Sequence, residues 1–133
     1  MGDVPPRVLV VDPSEDNAES LSLLLRLWGY EARSAPDGPS ALDVVPAYRP
    51  DVVVMEVALP RLNGWEVARR LRRQEGRPVL LVGLTVCGRG QDRVNSREAG
   101  FDHHLVKPAD PGELRCLLAE YVPLRGPSPV IAG

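Results

Sequence analysis

The chain has 133 residues, 44% of them apolar and 26% charged, with a formal net charge of -2. This length suits one domain with a single core, and the weakly acidic balance argues against a general nucleic-acid binder, which needs a basic excess to neutralise phosphates. No apolar run reaches membrane-span length, Met1 to Pro6 lacks the basic and apolar regions of a secretory leader, and Cys87 and Cys116 have no metal spacing, so a cytoplasmic protein with reduced thiols is expected.

In chain order, Val8-Leu9-Val10-Val11 is a short apolar, largely β-branched run, the pattern of a strand covered on both faces. Ser14 then opens a helix, with Glu15 and Asp16 in its dipole-favoured first turn. Leu21, Leu24, Leu25 and Trp28 fall at helical spacing as one apolar stripe, and Gly29 stops the helix. Tyr30 to Ala35 reads as a second strand. Pro36 to Pro39 turns into a second helix carrying Ala41, Leu42, Val44 and Val45, with Pro46 near its end.

Asp51 to Glu56 reads as a third strand. Asn63-Gly64 reads as turn chemistry before a third helix, with Val67, Ala68 and Leu71 inward, Arg69, Arg70, Arg72 and Arg73 largely outward, and Gly76 at its end. Val79 to Leu84 is a fourth strand. Gly88 to Gly100 predicts a short, polar fourth helix with Val94 and Ala99 inward. His104 to Val106 is a fifth strand, and a last helix from about Asp110 buries Leu114, Leu117, Leu118 and Tyr121 before Pro123. Residues 1–122 thus form one domain, and 123–133, rich in Pro and Gly, read as a tail or linker. Strands and helices alternating through short loops predict an α/β fold, a flavodoxin-like (βα)5 doubly wound sandwich. Its five-stranded parallel sheet would run in the order 2-1-3-4-5.

The strand ends carry the chemistry. The first strand ends in Asp12, the third in Glu56, the fourth in Thr85, and the fifth in Lys107-Pro108. In such a sheet, ligands bind beyond the carboxyl ends of the strands at the switch in strand order. That rule brings Asp12 and Glu56 side by side, with Thr85 and Lys107 next along the edge.

With these residues, the chain resembles the receiver domain of bacterial two-component response regulators, CheY-like proteins, from about Arg7 to Tyr121. The matching pieces are Val8 to Asp12, Pro50 to Glu56 with Pro60 and Gly64, Leu84-Thr85, and Ala99 to Pro108. The resemblance implies an acceptor aspartate at the end of strand 3, phosphorylated by a histidine kinase, and two acids after strand 1 that help hold Mg²⁺. It also implies a strand-4 hydroxyl and a strand-5 lysine that contact the phosphoryl oxygens, here Thr85 and Lys107. Thr85 and His104 match the family's switch positions, and the face formed by helix 4, strand 5 and helix 5 is where receivers meet partners.

The chain departs from that pattern in three places. Glu56 stands at the acceptor position, where one extra methylene shifts the carboxylate by roughly 1 Å, and misplacement on that scale can cost about 10²-fold in an aligned reaction. Pro13 replaces the second acid, leaving Asp12, Glu56 and the Ala58 carbonyl as a vestigial metal set. Val86 follows Thr85 and would narrow the approach. The expectation is an atypical pseudo-receiver, not an enzyme, with no cofactor unless Mg²⁺ binds. It would act as a phosphorylation-independent module for a histidine kinase, an effector domain or a second copy, with no nucleic-acid or membrane partner. The alternatives are a working Mg²⁺-dependent phosphoacceptor and a flavodoxin-fold binder of a small anion or nucleotide. The acidic stretch Asp12 to Asp16 disfavours the latter.

Glu56 either mimics a phosphorylated aspartate, with one charge in place of about two, or forms a purely structural pair with Lys107. His103 and His104 are adjacent on a strand and point to opposite faces, so they cannot chelate one ion together. Cys87 reads as an ordinary thiol.

Overall fold

A computed structural model of the chain describes residues 5–59, 61–85, 97–107 and 109–121. Five strands, β1 (Arg7–Val11), β2 (Glu31–Ala35), β3 (Val52–Glu56), β4 (Leu80–Thr85) and β5 (His103–Val106), form one sheet in the order β2-β1-β3-β4-β5. All four pairings are parallel. Between them run α1 (Glu15–Leu27), α2 (Gly38–Tyr48) and α3 (Gly64–Gln74). Residues 97–99 form a helical turn, α4, ahead of β5, and α5 (Pro111–Tyr121) follows β5. This is the expected doubly wound architecture.

The central strands are apolar on both faces because both faces are covered. Leu9, Val11, Val53, Met55 and Leu81 pack under α2 and α3, while Val8, Val10, Val52, Val54 and Val82 pack under α1 and α5. Every residue of β3 is buried, which accounts for its unbroken run of large side chains.

Helix starts follow their caps. Ser14, Asp37 and Asn63 each accept a hydrogen bond from a backbone N–H in the first turn of α1, α2 and α3. Asn63-Gly64 is therefore more than a turn. Asn63 caps α3, and Gly64 fits so closely against β3 that a Cβ would lie 2.9 Å from the Glu56 carbonyl oxygen. Gly29, at φ 103°, ends α1 in a conformation that side-chain-bearing residues avoid.

The structure corrects four details of the helices. The buried line of α1 is Ala18, Ser22 and Leu25, while Leu21, Leu24 and Trp28 sit one step round the helix and are only partly covered. Tyr121 is half exposed, because α5 turns only Leu114 and Leu118 fully inward. α3 ends at Gln74 with Glu75 as its cap, ahead of Gly76. Arg72 does not extend into solvent like its neighbours on α3. It reaches the carbonyls of Val79 and Gly100 and the Asp102 carboxylate. Among the described residues no helix is long and apolar enough to cross a membrane. Pro60, Val86, Cys87, Val94, Pro108 and Pro123 lie outside the described residues.

Candidate functional site at the carboxyl edge of the sheet

Four polar or charged side chains are buried among the described residues, and three of them, Asp12, Glu56 and Thr85, stand together at the carboxyl edge. Parallel register puts them there. Val11 is opposite Met55, so the next step sets Asp12 beside Glu56, while Glu56 is opposite Leu84 and Thr85 is opposite Val106. Backbone bonds hold the strand ends: Asp12 N–H donates to Ala35, Val57 N–H to Leu84, and Lys107 N–H to Thr85 at 2.6 Å.

Lys107 closes the group. Its Nζ lies 2.7 Å from Glu56 Oε1 and 3.8 Å from Asp12 Oδ2. The hydrogen bond to Glu56, with the attraction of both carboxylates, raises the Lys107 pKa above the ordinary lysine value despite partial burial. Two carboxylates and one ammonium leave the edge one negative charge in excess, which repels an approaching anion. Asp12 is also engaged locally, since its Oδ1 accepts the Ser14 N–H at 2.8 Å.

Mg²⁺ prefers near-octahedral oxygen coordination with carboxylates free to bind it. Here one acidic side chain carries a backbone N–H, the other carries the lysine, and Pro13 supplies neither a carboxylate nor an N–H. Ala58 stands exposed in the loop after β3. Among the described residues no cluster of three or more His, Cys, Asp or Glu side chains could hold a metal. This donor set fits Mg²⁺ poorly.

His104 lies on the other side of β5 from His103, stacked on Phe101 with ring centroids 6.2 Å apart. The absent side chain of Gly83 makes room for both rings, since a Cβ there would lie 3.0 Å from His104. His103 instead meets Tyr121, 4.8 Å away. The two imidazoles therefore serve different faces, as strand alternation requires.

Sequence reasoning missed the groove of about 540 Å³ that runs from Asp12 and Lys107 along α1, lined by Asn17, Ser20, Leu21 and Leu24. Those four positions follow helical spacing, so the signal was present. Periodicity places the apolar members on one stripe of the helix but does not say which of two adjacent stripes faces the sheet.

The response regulator receiver domain family model matches residues 8–119. The chain is 41% identical over 128 residues to the response regulator MprA of a Mycobacterium species, covering 93% of this chain and 55% of that protein. It thus spans about half the length of the curated relatives it matches. Its fold is similar to that of the chemotaxis protein CheY4 of Vibrio cholerae, with a TM-score of 0.84 and 28% identity over 90% of this chain and all of that one. It is also similar to the receiver domain of a sensor histidine kinase from Pseudomonas aeruginosa, solved with magnesium in its active-site cleft. There the TM-score is 0.80 and the identity 31%, over 89% of this chain and 98% of that one. Sheet order, edge residues and these likenesses agree: the chain belongs to the response regulator receiver domain family of two-component signalling.

Proposed function

We propose that this domain is an atypical receiver that signals through binding, without being phosphorylated. The observation that carries the reading is the 2.7 Å contact between Lys107 and Glu56. In the family's scheme Lys107 and Thr85 would receive phosphoryl oxygens, and Glu56 occupies the acceptor position with its carboxylate already on the lysine. With Pro13 in place of the second acid and Asp12 tied to Ser14, neither metal-assisted charge neutralisation nor in-line attack is supported. The pair holds the site in one arrangement, and Asp12, Glu56 and Ala58 remain as a vestige of the metal set. Whether that arrangement matches the resting or the signalling state of a working receiver is decided by which partner it binds.

The partner surface in this reading is the face of α4, β5 and α5, where Val106 and Tyr121 are exposed large side chains. A histidine kinase, an effector domain or a second copy would dock there, with Thr85 and His104 at the switch positions beneath it. Residues 1–122 would be the receiver and 123–133 the tether, acting in the cytoplasm.

The test is an amide NMR titration with Mg²⁺ and then with beryllofluoride, a stable phosphoryl mimic. The expected result is no saturable shift at Asp12, Glu56, Thr85 or Lys107. Saturable shifts at those residues that spread to His104 would overturn the reading in favour of a working Mg²⁺-dependent phosphoacceptor.

A further inference from the structure

The opposite, amino edge of the sheet contains a groove of about 830 Å³ where β3, β4 and β5 begin. Its volume falls in the range that takes small organic ligands. What such a ligand would meet depends on which lining groups the fold has already engaged.

Both acids are engaged. Asp51 Oδ2 accepts the Arg7 N–H at 2.9 Å, and Asp102 Oδ2 accepts the Leu81 N–H and Arg72 Nη2, each at 2.8 Å. Arg72 is engaged too, through Gly100 and Val79. Arg97, by contrast, is exposed in α4 and makes no ion pair with any described residue. Beside it on the groove wall, His103 and Tyr121 present two rings with centroids 4.8 Å apart, and Val79 and Phe101 give a buried apolar floor.

We propose that this groove binds a small planar organic anion, specifically an aromatic carboxylate. The Arg97 fork can take both carboxylate oxygens in parallel hydrogen bonds. His103 and Tyr121 offer faces for the ring, and ring pairs of this kind add to simple burial. A purely inorganic anion would leave the apolar floor unused, and a neutral ring would leave Arg97 unpaired. The site is independent of how Glu56 is read, because it lies at the other end of β4 and β5. The span of β5 from His103 to Lys107 is about 13 Å at strand rise.

The full chain would be titrated with benzoate and followed by amide NMR, with inorganic phosphate and benzyl alcohol as the charge-only and ring-only probes. The expected result is saturable benzoate shifts at Gly100, Asp102, His103 and Tyr121, with Asp12 and Glu56 unmoved. Phosphate and benzyl alcohol should each bind at least about tenfold more weakly, the worth of one charge-assisted contact. Arg97→Ala, at an exposed position, should weaken benzoate by a similar factor. The absence of saturation, equal binding of either control probe, or an unchanged affinity in Arg97→Ala would each overturn the assignment.

Discussion

Lys107 at the carboxyl edge directs its ammonium to two side chains, Glu56 at 2.7 Å and Asp12 at 3.8 Å, while Arg72 at the amino edge directs its guanidinium chiefly to backbone. The first arrangement links three strand ends through groups that can each turn away. The second ties the end of α3 to the segments entering β4 and β5, through carbonyls that have few other donors. One edge is therefore built from exchangeable side-chain pairs and the other from scaffold bonds, although both belong to the same sheet.

The strongest test of that contrast is Arg72→Ala. It removes the bonds to Val79, Gly100 and Asp102 together and should cost about 2–3 kcal/mol, tempered because Arg72 is partly solvated. Urea unfolding should show a lower midpoint at unchanged slope. A loss under about 1 kcal/mol would mean that the brace is no stronger than a surface ion pair.

The set of Asp12, Glu56 and Ala58 offers a second test, read as affinity. Pro13→Asp combined with Glu56→Asp returns one carboxylate and shortens another, and should bind Mg²⁺ at least about tenfold more tightly than either single variant. If calorimetry finds the double variant no tighter for Mg²⁺ than the single variants, Pro13 and Glu56 are not what limits Mg²⁺ binding, and Val86 is the first residue to examine.

Glu56→Gln should have a smaller effect, about 1 kcal/mol. Breaking a fully buried pair costs about 3–5 kcal/mol, but Lys107 keeps Asp12 nearby and about a quarter of its side chain stays exposed. A cycle with Lys107→Met isolates the coupling. A cost above that of Arg72→Ala would reverse the comparison of the two edges.

Two-sided burial leaves an unmistakable apolar run in β1, β3 and β4 that made those strands legible, and the strand order followed from the doubly wound rule for alternating strands and helices. The carboxyl-edge site was legible for the same reason, since Asp12, Glu56 and Lys107 follow directly where those runs or β5 stop. The Arg72 brace was not, because its partner Gly100 lies 28 residues away and nothing local separates Arg72 from Arg69, Arg70 and Arg73. The latter three gather around Glu66, the solvated arrangement expected of the whole run. Tyr121 misled for a related reason: its spacing fits the inner stripe of α5, but His103 holds its ring at the rim.

The smallest expected effect is a pH profile, and it bears on the pair itself. Glu56 raises the Lys107 pKa above 10.5, so the folded state binds this proton more tightly than the unfolded chain does. The stabilisation is therefore fully present below 10.5 and is lost only as pH rises through the raised value. The contribution of Lys107 to stability should stay flat through neutral and mildly alkaline solution. Side-chain NMR of Lys107, the one lysine in the chain, should show a midpoint above 10.5 that falls back toward it in Glu56→Gln. A wild-type midpoint at or below 10.5 would mean that the ammonium spends most of its time away from Glu56, and the carboxyl edge would then be open to an incoming ligand instead of closed by its own side chains.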